Sequence, residues 1–176
     1  MQLLDSGAHT RLIGASKREA FHLELRDSYD SPGENEAFRN WLEGGSEDNY
    51  GWFQGWLSTV RGLTGRGAVM RRVRVVTVPH TDYIQWELEL ARLNAAAGEQ
   101  IGYVPRHLVD ANRLTTFDWW LLDDETVTVT VFKPSGQIAG SVATSDQRIV
   151  AYCQEVRDYV WSAAVPYADY VALQTR

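Results

Sequence analysis

Hydrophobic and polar positions change period several times along the chain, and these changes predict its elements. Residues 1–15 carry little periodicity and are expected to form a lead-in segment. Ser16-Lys17-Arg18-Glu19 has the spacing of a capping box, yet Phe21-His22-Leu23-Glu24-Leu25 alternates like a half-buried strand, so one helical turn followed by a short strand is expected. Asp30-Ser31-Pro32-Gly33 is a turn. Glu34 to Glu43 has the spacing of a short helix with Phe38, Trp41 and Leu42 inward, stopped by Gly44-Gly45. A second helix is expected over 49–65, with an apolar stripe of Phe53, Trp56, Leu57, Val60 and Leu63 and with Gly67 placed as terminator.

From Arg71 the period becomes that of a strand. Val73, Val75, Val76 and Val78 give a run apolar on both faces, as in a central strand covered on both sides. Pro79-His80-Thr81-Asp82 ends it and opens a helix to about Ala97, with Thr81 as N-cap, Asp82 at the positive end of the helix dipole and Gly98 as the stop. Further strands are expected at Gln100 to Val104, Phe117 to Leu122, Thr126 to Phe132 and Ile138 to Val142. Asp123-Asp124-Glu125 and Lys133-Pro134-Ser135-Gly136 form the turns between the last three. Ile149, Val150, Cys153, Val156, Val160, Trp161 and Ala164 follow helical spacing as far as Pro166.

This order implies an α/β (α+β) fold. Its parts are a mixed sheet of about five strands with one parallel crossover helix and an antiparallel meander, helices packed on the sheet, and a helical N-terminal region. One domain over 1–176 is expected, with the lead-in at 1–15, a mainly helical part at 16–67 and a strand-helix-meander-helix core at 68–176.

Composition narrows the chemistry more than it names it. Hydrophobic content of 44% with 23% charged residues is a globular balance. The net charge of −6 argues against direct nucleic-acid binding; the three arginines of Met70-Arg71-Arg72-Val73-Arg74 are expected to be solvated or paired with carboxylates. Seven tryptophans exceed what such a core needs, so either core packing or a pocket is open to some of them. With no long apolar run, neither a signal peptide nor a membrane span is expected, and the cytoplasm is the expected location.

Most catalytic patterns fail. His9, His22, His80 and His107 are scattered, so no metal and no cofactor is expected. Gly62-Leu63-Thr64-Gly65-Arg66-Gly67 follows a helix and precedes a strand, the reverse of a phosphate-cradling loop. A serine elbow is absent, and the single Cys153 falls mid-helix without a base. Ligands of α/β sheets collect beyond the carboxyl ends of strands, which makes the Pro79–Glu87 helix mouth the preferred site. Candidate bases there are His80, Asp82 and Glu87; candidate ligand contacts are Tyr83, Trp86, Arg106 and Trp120. Asp123-Asp124 is expected to serve the turn, a catalytic role being the alternative.

Several ordered motifs carry a resemblance: Leu25-Arg26-Asp27-Ser28-Tyr29, Arg71-Arg72-Val73-Arg74-Val75-Val76, Asp82-Tyr83, Ala97-Gly98-Glu99, Pro105-Arg106, Trp120-Leu121-Leu122-Asp123-Asp124 and Trp161-Ser162-Ala163-Ala164-Val165-Pro166. Over about Phe21 to Tyr170 the chain resembles an actinobacterial family of domains of unknown function, family 6879. That resemblance implies a bacterial cytosolic protein whose relatives are encoded beside helix-turn-helix regulators and sometimes inside natural-product gene clusters, antibiotic biosynthesis among them. It brings no catalytic residue. Members usually carry arginine where this chain has Gln85, and the strand after the acidic turn is unusually rich in threonine. At fold level the chain is also similar to degenerate phospholipase D-like sensor half-domains. Their active relatives' His and Lys would fall at Thr116 and Asp118, so phosphodiester chemistry of that type is not expected.

Two function classes follow. The first is a non-catalytic or accessory module binding a protein partner, as heteromer or homodimer, or a small ligand. The second is an enzyme, or a subunit of a heteromeric enzyme, in small-molecule biosynthesis, with Asp82, Glu87 or His80 as base and Arg106 holding an anionic group.

Overall fold

The structure is a computed structural model that describes residues 2–45 and 50–174. Eight strands form one mixed sheet in the order β1-β7-β6-β5-β2-β3-β4-β8: β1 Gln2–Leu4, β2 Glu19–Glu24, β3 Val69–Val76, β4 Gln100–Pro105, β5 Trp119–Leu122, β6 Thr126–Phe132, β7 Ile138–Thr144 and β8 Val165–Pro166. The helices are α1 Ser6–Gly14, α2 Asn35–Leu42, α3 Gln54–Thr64, α4 Asp82–Ala96, α5 Gln147–Ala163 and α6 Tyr167–Gln174. The expected class holds: β3-α4-β4 is a parallel crossover, and β5-β6-β7 is an antiparallel meander.

Four features depart from expectation or refine it. The lead-in is structured, because β1 pairs antiparallel with β7 and Asp5 caps α1 by accepting from the Ala8 N–H at 2.6 Å. The sheet has more than five strands, since β1 and the two-residue β8 close its edges. β2 lies beside β3 in parallel, so the mainly helical stretch between them, residues 25–68, forms a second crossover that the expected single crossover did not include. The expected helix over 49–65 is a 3-10 turn, Tyr50–Phe53, leading into α3; Asn49 lies outside the described residues.

The helical turn expected at Ser16–Glu19 is instead a bend that runs directly into β2, whereas both ends of α4 are as expected. The Thr81 hydroxyl accepts from the Ile84 N–H at 3.2 Å, and Gly98 ends α4 at a φ of 106°, where a Cβ would lie 2.9 Å from the Thr64 hydroxyl oxygen.

Because strand side chains alternate, the sheet has two chemically different faces. One is apolar: Phe21, Leu23, Val73, Val75, Trp119 and Leu121 pack under α5 through Val150, Cys153, Val156 and Val160. The other is covered by α1, α3 and α4. It has apolar clusters at its two ends, around Ala20-Met70-Leu122 and around Val76-Ile101-Tyr103. Between them it is charged. β3 is therefore buried on both sides as expected, but its second face is filled by Arg72 and Arg74 instead of apolar side chains.

Candidate functional site

The charged face is built by period-two alternation in two neighbouring parallel strands. His22 and Glu24 of β2 stand beside Arg72 and Arg74 of β3, register partners one to one. Taking these groups out of water is unfavourable unless each charge is matched, and here each is. Glu24 bridges both guanidiniums: it accepts from Arg72 Nη1, and its Oε2 lies 2.7 Å from Arg74 Nε. Arg72 Nε also donates to Glu99 at 2.7 Å, and Arg74 Nη1 pairs with Glu87 of α4. Burial alone would raise the Glu24 pKa, but Arg72 and Arg74 override it and hold the carboxyl down to about 2.

The His22 ring stacks on Trp120 of β5, centroids 4.1 Å apart. Burial holds its pKa well below the usual imidazole range, against the pull of Glu24. Its Nδ1 lies 3.4 Å from Glu24 Oε1 without hydrogen-bond geometry and has no other partner.

Above this floor lies a cavity of about 450 Å³. Its walls come from α1 (His9, Thr10, Ile13), from Trp52, Phe53 and Trp56, from Tyr83, Glu87 and Asn94 of α4, and from Tyr29, Glu34, Asp118 and Thr130. His9 is fixed between the Thr128 hydroxyl at 2.8 Å and the Ser141 hydroxyl at 3.0 Å.

Two carboxyls on the wall are held differently from Glu24. Glu34 accepts from the Tyr83 hydroxyl at 2.8 Å; Asp118 accepts from the Tyr29 hydroxyl at 2.7 Å and the Leu25 N–H at 2.9 Å. Among the described residues neither makes an ion pair with a cation. Burial, helped by the nearby Glu87 charge, pushes Glu34 up to about 7; burial pushes Asp118 up to about 6 against its hydrogen bonds. Both tyrosines are raised above their ordinary value, first by burial and then by neighbouring carboxylates, so they act as donors. Perturbed carboxyls gathered in a cavity are a recognised mark of functional sites.

The residues singled out from sequence divide. Tyr83, Glu87 and Trp120 line the cavity. Trp86 does not line it and is fully buried against Phe38 and Tyr83. His80 bonds the Tyr170 hydroxyl at 2.9 Å and Asp82 is exposed, so neither reaches the cavity. Arg106 is a structural clamp: Nη2 donates to the Leu25 carbonyl at 2.6 Å and the Val75 carbonyl at 2.8 Å, and lies 3.5 Å from Asp27. Arg106→Ala is expected to lower the urea midpoint by an amount equivalent to about 1.5–3 kcal/mol, with ligand binding in the cavity unchanged. Parallel loss of binding at unaltered stability would contradict that role.

Asp123 and Asp124 serve the turn. Both adopt positive φ, Asp123 accepts from the Lys17, Arg18 and Glu19 N–H groups, and Asp124 pairs with Arg157 at 2.5 Å. Burial pushes the Cys153 thiol up to about 12, away from nucleophilic chemistry. No group of three or more His, Cys, Asp or Glu suited to a metal occurs among the described residues.

His22, Glu24, Glu34, Arg72, Arg74 and Asp118 were not singled out as site residues. A signal existed for four of them: His-x-Glu and Arg-x-Arg at period two in strands with apolar alternate positions put charges on one buried face. Glu34 and Asp118 reach the cavity from loops and carry no such mark.

Fold and cavity together define an α/β domain of three layers with a partly enclosed, charged and aromatic cavity on one face of its sheet. The chain belongs to the family described as domain of unknown function DUF6879, whose model matches residues 8–172. Among solved structures it is similar to NucT from Helicobacter pylori, with a TM-score of 0.52 at 7% identity, covering 91% of this chain and 89% of that one. At that identity the likeness shows the fold alone. No curated protein matches the chain. Among the described residues no helix is long and apolar enough to cross a membrane.

Proposed function

We propose that the domain is a non-catalytic or accessory module that holds a small organic ligand in the cavity over β2, β3 and β5, in a bacterial regulatory or natural-product setting. The observation that carries this reading is the buried Glu24-Arg72-Arg74 network under a cavity of about 450 Å³. A sheet centre needs no charges for stability, and apolar replacements of buried ion pairs are often neutral or stabilising, so a charged floor under a ligand-sized space favours recognition over packing.

A thermal-shift screen of bacterial metabolites tests it. Compounds that raise the melting temperature should lose about tenfold in affinity on Trp52→Ala, which strips a half-exposed wall, and on Thr130→Trp, which puts an indole into the cavity. A screen without hits, or hits bound undiminished by both variants, would overturn the reading.

Glu34 and Asp118 support a second reading as an enzyme, or a subunit of a heteromeric one, in small-molecule biosynthesis. A carboxyl near neutral pKa is suited to general acid-base work, and these two meet that condition better than the exposed Asp82. Product formation abolished by Glu34→Gln and Asp118→Asn, and retained in Asp82→Asn, would favour it over the binding module.

A further inference from the structure

The cavity lining is unbalanced in charge. Four carboxyls face it, Glu24, Glu34, Glu87 and Asp118, against two guanidiniums, Arg72 and Arg74. Both guanidiniums are already engaged by Glu24, Glu87 and the buried Glu99, so they offer an anionic ligand little attraction. Glu34 and Asp118 are the unmatched pair. Their tyrosine donors are neighbours, with ring centroids 5.9 Å apart, which brings the two carboxyls to one part of the wall. His22 also lines the cavity, stacked on Trp120 and with its buried Nδ1 turned toward Glu24 at 3.4 Å, so it adds a flat ring rather than a charge to the floor.

Resting on the reading of this cavity as a ligand site, we propose that its occupant is a small organic cation: an ammonium received between Glu34 and Asp118, on a flat or apolar body that packs against Trp52, Tyr29 and Tyr83. Aromatic walls and carboxylates suit that combination, because ring faces attract cations while burying the apolar body. An approaching ammonium stabilises the ionised carboxyls, so binding releases protons near neutral pH. As pH rises through the range where Asp118 (about 6) and then Glu34 (about 7) ionise, affinity for the cation rises.

The test is isothermal titration of the full chain with three matched indoles: tryptamine as cation, tryptophol as neutral counterpart and indole-3-acetate as anion. Tryptamine should bind at least about tenfold more tightly than either, with heats that differ between buffers of different ionisation enthalpy because protons are released. Its affinity should rise by about tenfold between roughly pH 5.5 and roughly pH 8. Glu34→Gln with Asp118→Asn should remove both the preference and the pH dependence; these near-isosteric changes keep an acceptor for each tyrosine.

If tryptophol or indole-3-acetate equals tryptamine, the charge class is overturned while the cavity stands as a ligand site. Tryptamine binding unchanged in the double variant overturns the role of the two carboxyls. If none of the three binds, the proposed occupant is overturned, and the metabolite screen alone decides whether the cavity is a ligand site.

Discussion

Glu24→Ala is expected to lower the unfolding free energy by about 3–5 kcal/mol, read as a fall in the urea midpoint without a change of slope. Glu24 is the shared counter-ion of two guanidiniums that lie in the middle of the sheet. Its removal leaves Arg72 paired with Glu99 and Arg74 with Glu87, so the charges still balance one to one, but the two neighbouring guanidiniums lose the carboxylate between them and keep buried N–H donors without an acceptor. Glu125→Ala is the contrast: its partner Arg18 lies across an exposed pair, 64% and 76% accessible, and at most about 1 kcal/mol should be lost. The pH dependence follows with a definite sign. The folded Glu24 carboxyl is held at about 2, below its ordinary value of 4.5, so its contribution is fully present above about 4.5 and is lost as pH falls toward 2. Equal losses in Glu24→Ala and Glu125→Ala would mean that the central network carries no special weight.

Trp86→Ala should cost a similar amount, about 3–5 kcal/mol, for a different reason. Trp86 is fully buried and meets Phe38, Tyr83 and Trp52 at centroid separations of 5.3, 5.5 and 6.0 Å. Truncation empties the centre of the cluster that fixes α4 and α2, and the surrounding rings can collapse only in part. Trp86→Phe should recover much of the loss. Had Trp86 been a wall of the ligand site, as its place near the helix mouth suggested, truncation would weaken binding while leaving the melting temperature nearly unchanged. Calorimetric melting of the three proteins separates the two roles.

Elements with long, regular periods were legible in the sequence. The valine run of β3, the capped helix α4, the alternating threonines of β6 and the stripe of α5 each repeat often enough to fix type and approximate limits. The edges were not legible. β1 has three residues and β8 two, too short for a period, and they become strands only because β7 and β4 present unpaired backbone to them. The parallel neighbour of β3 was also hidden: the alternation of β2 marks a strand, but which strand it pairs with is a long-range matter that no local period carries.

The candidate site was legible in part for the same reason. Reasoning from strand ends led to the Pro79–Glu87 helix mouth, and two residues on one side of that helix, Tyr83 and Glu87, do face the cavity. His80 and Arg106 are bound locally, the one to Thr77 and Tyr170, the other to three carbonyl or carboxylate groups. The floor lies on the sheet face, and its charges were hidden by the expectation that a buried strand is apolar on both sides. Arg72 and Arg74 broke that pattern openly. What the sequence could not show is that Glu24, Glu87 and Glu99, from three separate elements, would arrive to match them.

The central claim is that ligand recognition takes place on the charged face of the sheet, and five of the seven tryptophans divide usefully between its two faces. Trp52, Trp56 and Trp120 line the cavity, whereas Trp119 and Trp161 pack with Phe21 on the opposite face. The most direct measurement is the ¹⁵N–¹H spectrum of the tryptophan indoles during titration with the tightest-binding metabolite or amine. The indole signals of Trp52, Trp56 and Trp120 should move with saturation while those of Trp119 and Trp161 stay in place. Movement of Trp119 and Trp161 with the other three unmoved would contradict the assignment of the site.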